Sequence, residues 1–152
     1  MKKFAPAYVA VFDFDGTLIS KSYGSLYDVV DSNKGVTGEC HKLAKKMRKY
    51  YFSILKNRLL TQKEKEKWLF DSIELYVKSK LSMFTIQKIM SDKVRLRDGV
   101  MKCFKMLKEK NIPVAIISYG ITEFIQAALE TNSALKLVDE IYAAKLKINE
   151  NG

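Results

Sequence analysis

The chain has 152 residues, with 27 Lys and Arg against 17 Asp and Glu and a formal net charge of +10. This length suits one core with a small insertion. A hydrophobic share of 47% is ordinary and a charged share of 29% slightly high, and no stretch is low-complexity or repeated. No run approaches the ~20 apolar residues of a membrane span.

The N-terminus carries Lys2 and Lys3 before an apolar stretch, which mimics a secretion signal. Pro6 interrupts that stretch, Asp13 and Asp15 end it early, and no small-residue cleavage pattern follows. A cytoplasmic protein is therefore expected, with secretion by a signal-independent route left open. Tyr8 to Phe14 reads as a strand, and Val9, Val11 and Phe12 suit a buried parallel one. Such a strand avoids charge, because an unpaired buried carboxylate is costly. Asp13 and Asp15 at its C-terminal end therefore call for a partner, and a hard cation such as Mg²⁺ is the obvious one. Ligands of open α/β sheets bind outside the carboxyl ends of the strands.

The spacing suggests chemistry. Asp13 can attack phosphorus and form an aspartyl phosphate. Asp15 can give a proton to the leaving oxygen and later take one from water. Gly16 allows a tight turn, and the Thr17 hydroxyl can brace Asp15 or its loop. The string Val11-Phe12-Asp13-Phe14-Asp15-Gly16-Thr17-Leu18 resembles motif I of the haloacid dehalogenase (HAD) superfamily of phosphohydrolases. The resemblance implies Asp13 as nucleophile, Asp15 as general acid/base, and Mg²⁺ held by the Asp13 side chain and the Asp15 backbone carbonyl. An acid two residues after the nucleophile points within the family to phosphatases or mutases.

About a hundred residues separate this strand from the next, far more than a crossover needs. Much of that stretch has helical spacing. Val36–Leu60 carries Leu43, Met47, Tyr50, Tyr51, Ile54 and Leu55. Thr61 and Glu64 form a capping box that opens a second helix with Trp68, Leu69, Ile73, Tyr76 and Val77. Ser82–Val94 is a third helix, with Phe84, Ile86, Ile89 and Met90. These stripes read as core faces. A helical insertion here resembles the C1 cap of HAD enzymes, spanning 19–96, with core segments 1–18 and 97–152. The sole histidine, His41, reads as a surface or packing residue, and Cys40 and Cys103 as free thiols in a reducing compartment. Asp98 is placed to cap a helix over Gly99–Lys110.

The charge is uneven. Between Leu18 and Arg97 there are 18 Lys and Arg against 8 Asp and Glu, so the whole net charge lies in the insertion. Two readings stay open: solvated lysine-rich faces, or a positive surface that draws an anionic substrate to the aspartates. Lys42, Lys45, Lys46, Arg48 and Lys49, followed by Tyr50, Tyr51 and Phe52, form the densest cluster. No recognised nucleic-acid module accompanies it, so nucleic acid is not the expected partner. Arg95 and Arg97 could clamp a carboxylate or phosphate.

Ile112 to Gly120 is a second buried strand, with a helix over Ile121–Thr131. Ser118 at its end can hold a phosphate oxygen, helped by the Tyr119 and Gly120 amides, or simply cap the helix. Its place resembles HAD motif II. Leu137–Ala144 reads as a third strand, and Ile148–Gly152 as a turn. The family pattern has two further parts, a basic motif III and an acidic motif IV. Lys145, Lys147, Asp139, Glu140 and Glu150 match neither. In the family's sheet order this would leave Tyr8–Phe14 as an apolar edge open to another chain or a second copy. The expected fold is thus α/β: a partial HAD Rossmann-like three-layer core with a parallel sheet, plus an inserted helical cap.

The function expected first is a Mg²⁺-dependent phosphatase acting on a small phosphorylated metabolite or nucleotide, seen as an N-terminal portion of the enzyme. The resemblance is nearest to phosphoserine phosphatase-like and pyrimidine 5′-nucleotidase-like members. A non-catalytic HAD-like domain binding a phosphorylated ligand or protein is the second reading. A basic helical module for nucleic acid or anionic membrane is the third.

Overall fold

A computed structural model describes residues 8–32 and 38–147. The expectations for Lys2, Lys3, Pro6 and Ile148–Gly152 lie outside these residues. Three parallel strands form one sheet: β1 (Ala10–Phe12), β2 (Val114–Ile121) and β3 (Glu140–Ala144), in that spatial order. Ala10, Val11 and Phe12 stand opposite Val114, Ala115 and Ile116, and Ile116 and Ile117 opposite Ile141 and Tyr142.

Between β1 and β2 run five helices: α1 (Leu26–Ser32), α2 (Gly38–Leu55), α3 (Gln62–Lys78), α4 (Met83–Lys93) and α5 (Val100–Glu109). A sixth, α6 (Thr122–Thr131), joins β2 to β3. Local chemistry sets the ends. Thr61 and Glu64 make the reciprocal bonds of a capping box at α3. The Ser82 hydroxyl accepts from the Thr85 N–H at α4. Asp98 does not cap α5. Gly99 holds the cap position, in the left-handed region at φ +86°, without a side-chain bond. The backbone N–H of Arg97 is already tied to the Leu18 carbonyl at 2.9 Å, and the chain turns through Gly99 into the helix.

The pleat decides what is buried. Ala10, Phe12, Val114, Ile116 and Ile141 share the face that α5 covers, with the Phe104 ring 5.4 Å from that of Phe12. Val9 and Val11 were expected inside. They belong to the opposite face, with Ile117 and Tyr142, and all four are more than half exposed. Ala115, opposite Val11 on the same face, is buried. β1 has one partner strand, β2.

At the other margin, Asp139 ties the starts of β2 and β3. Its carboxylate accepts from the Val114 N–H at 2.9 Å and from the Lys108 ammonium at 2.7 Å. The lysine bond, then the backbone bond, holds the Asp139 carboxyl below its usual range. A lowered native pKa contributes stability above the unfolded value and loses it in acid. Asp139→Ala should therefore lower the urea midpoint at neutral pH, and the gap to wild type should close as pH falls through the carboxylate range. Phe104→Ala should cost about 3–5 kcal/mol by the same assay.

Candidate active site

β1 ends at Phe12, and the next six residues make a tight turn. Asp13 is extended and exposed, and its Oδ1 accepts from the Phe14 N–H at 2.8 Å. Phe14 is fully buried and anchors the turn between the two acids. Gly16 sits at φ +75°, where other residues are strained. A Cβ there would come within 3.1 Å of the Lys21 side chain. The Gly16 carbonyl accepts from Arg97 at 3.2 Å, so Arg97 is engaged by the loop. Arg95 bonds instead to the Ser91 and Val94 carbonyls. Thr17 is exposed.

Asp15 is braced from an unexpected direction. Its Oδ1 accepts from the Leu26 N–H at the start of α1, at 3.0 Å. Burial pushes its pKa up to about 6, the Leu26 bond opposes this, and the Asp13 and Asp28 charges add to the rise. A carboxyl in that range can both hold and release a proton near neutrality.

Helix α1 was not expected, yet it organises the site. Ser25 and Asp28 bond reciprocally at its first turn. Arg48 of α2 pairs with Asp28 at 2.9 Å and with Asp31 at 3.3 Å. Asp31 is buried and also accepts from Tyr76 at 3.1 Å. His41 Nδ1 lies 2.6 Å from the Asp31 carbonyl, a packing role.

The second motif lies at the C-terminal end of β2. Ser118 does not cap a helix; its hydroxyl accepts from the Gly120 N–H at 3.0 Å. β2 runs on to Ile121, and α6 begins at Thr122. The Tyr119 carbonyl accepts from the Tyr27 hydroxyl at 3.2 Å, so α1 touches both motifs. The Lys65 ammonium lies over the Tyr119 ring, 4.9 Å from its centroid.

Between these parts opens a cavity of ≈ 430 Å³. Asp15, Tyr27 and Tyr119 line one side, and Lys65, Trp68 and Leu69 of α3 the other. Tyr27 and Tyr51 lie 5.6 and 5.8 Å from the Trp68 ring. A hollow of ≈ 450 Å³ between α2 and α3 lies away from both aspartates, so the smaller one is the candidate site. Asp13 and Asp15 offer hard oxygen donors of the kind Mg²⁺ takes. Among the described residues no cluster of three or more His, Cys, Asp or Glu is placed to hold a metal.

Comparison with known proteins decides the family. The profile of pyrimidine 5′-nucleotidase (UMPH-1) matches residues 9–152. The chain belongs to this family. It therefore belongs to the HAD-like superfamily. The 7-methylguanosine phosphate-specific 5′-nucleotidase of Homo sapiens is 26% identical over 93% of the chain and 51% of its own length. Its counterpart in Rattus norvegicus is 24% identical over the same shares. The chain thus spans about half the length of the curated relatives it matches. The fold is shared with cytosolic 5′-nucleotidase IIIB bound to cytidine, at a TM-score of 0.69 and 19% identity over 95% of this chain and 51% of that one. It is also shared with a phospho-aspartyl intermediate analogue of phosphoserine phosphatase, at 0.62 and 19% over 97% and 60%.

The sequence carried a signal for α1 in Ser25-Leu26-Tyr27-Asp28, the capping-box spacing. Seven residues are too few to show a helical stripe. Arg48→Met should leave Asp31 buried without its cation and cost about 3 kcal/mol in urea unfolding. Burial raises the Asp31 pKa, which Arg48 opposes. A raised native pKa means that stability is retained in acid and lost as pH rises. The deficit of the variant should therefore be largest at neutral pH and shrink in acid.

Proposed function

We propose that this chain carries the nucleophile half of a Mg²⁺-dependent 5′-nucleotidase that works through an aspartyl phosphate. The supporting observation is the turn that sets Asp13 in the open and Asp15 against an aromatic cavity. An Asp13 oxygen attacks phosphorus as the bond to the 5′-oxygen breaks, and Asp15 protonates that oxygen. Water then attacks phosphorus, Asp15 takes its proton, and the bond to Asp13 breaks to release inorganic phosphate. Ser118 and the Gly16, Thr17, Tyr119 and Gly120 segments would orient the phosphoryl oxygens. Mg²⁺ would be held by the Asp13 carboxylate and the Asp15 main-chain carbonyl, and would offset repulsion between the incoming phosphate and Asp13.

The substrate class follows from the cavity. Tyr27, Trp68 and Tyr119 give it an aromatic lining of the kind that packs against a nucleobase. The names of the relatives, nucleotidases in both comparisons, agree with this reading. The helices of 19–96 act in it as the cap, 1–18 and 97–152 as the core, and the setting is cytoplasmic, as the name of the cytosolic relative suggests. No helix among the described residues is long and apolar enough to cross a membrane.

A partner polypeptide is part of the proposal. Val9, Val11, Ile117 and Tyr142 form an exposed apolar face beside the open edge of β1. A second copy of the chain, or another partner, would cover it. Sedimentation at micromolar concentration should show association that Val11→Lys weakens; a monomer throughout would reject this part.

Release of phosphate from cytidine 5′-monophosphate should require Mg²⁺. Asp13→Asn should abolish it, and Asp15→Asn should lower kcat by about 10²–10⁴. Turnover that survives in Asp13→Asn would overturn the mechanism.

A further inference from the structure

The aspartate site is rich in negative charge, and a phosphomonoester brings more. The cavity holds one cation of its own, Lys65, on the second turn of α3. Its neighbours in sequence do not neutralise it. Glu64 is taken by Arg58 at 2.6 Å and by the Thr61 cap, and Glu66 accepts from Gln62 at 3.0 Å. Lys65 itself has no acid within ion-pair distance among the described residues. It is half-buried, and its ammonium rests on the ring of Tyr119, the residue after Ser118. A π face holds a cation in place without cancelling its charge. Asp15 lines the same cavity, and among the described residues Lys65 forms no salt bridge with it.

Building on the nucleotide reading above, we propose that Lys65 is a specificity-determining residue. It donates to a phosphate oxygen of the substrate and so makes the site prefer a nucleoside monophosphate over the nucleoside. The Tyr119 ring positions it for this. The charge comes from α3, so phosphate recognition would require α3 and the end of β2 to be in contact.

The chain supplies its own probe. Trp68 is the only tryptophan and lines the same cavity. Its fluorescence would be titrated with cytidine 5′-monophosphate and with cytidine, in the presence of Mg²⁺ and in an Asp13→Asn background that prevents turnover. Calorimetry would repeat the titrations. The background protein should bind the monophosphate about tenfold more tightly than cytidine. Lys65→Met should bring that ratio close to one with cytidine binding unchanged, and Lys65→Arg should keep most of it. A ratio that persists in Lys65→Met would overturn the inference while leaving the nucleotide site intact. Parallel loss of both ligands in Lys65→Met would assign Lys65 a structural role and also overturn it. Absence of binding by either ligand to the background protein would reject the nucleotide reading and the inference with it.

Discussion

Two carboxylates, two residues apart at the end of one short strand, are the constraint around which the described structure is arranged. Burial of Asp15, and then the charge of Asp13 beside it, oppose ionisation of Asp15. The fold answers with local donors. Phe14 gives its N–H to Asp13, and Leu26 gives its N–H to Asp15. Gly16 lets the chain turn away in a conformation few residues tolerate. The buried ring of Phe14 pins the turn, so the acids stay apart in role: one exposed, one half-buried.

Helix α1 links this turn to the rest. It is short, and a seven-residue helix is marginal by itself. Arg48 holds it through Asp28 and Asp31, and Tyr76 adds a buried bond. From that anchored position its first turn reaches Asp15, and its Tyr27 hydroxyl reaches the Tyr119 carbonyl. The helical insertion is therefore bonded to both motifs and not merely placed over them. Ile19 and Leu96, one before α1 and the other after α4, pair in an antiparallel bridge, and Asn132 of the α6 end bonds to Val94 and Leu96. These contacts tie the way out and the way back to one point of the core.

The basic charge of the insertion resolves into several roles. Arg48 is structural, and Arg58, Lys67 and Lys78 pair with acids on or beside α3. Such exposed pairs contribute little to stability. Lys42, Lys45, Lys46 and Lys49 lie exposed on α2, as solvated lysine faces do. The dense cluster noticed in the sequence is thus not the charge that lines the Asp15 cavity; Lys65, an ordinary member of a lysine-rich helix, is.

The strand-end acids, the second strand with its Ser118, and helices α3 and α4 were legible because short-range chemistry specifies them. Alternation, capping residues and 3.6-residue spacing act within a few residues. What failed lay beyond that range. Asp98 has the right chemistry for a cap, but the tie between Arg97 and Leu18 moved the cap to Gly99. Val9 and Val11 have the right composition for a buried strand, but only the order of strands and the side taken by α5 decide which face is covered. The partners of Asp15 and Tyr119 come from 11 and 92 residues away. The sequence by itself determined the pair of strand-end acids, its turn and its family, because these reside in one contiguous stretch. Only the tertiary structure decided which side chains surround that pair, because a cavity exists where separate helices meet a strand end and no local pattern records the meeting.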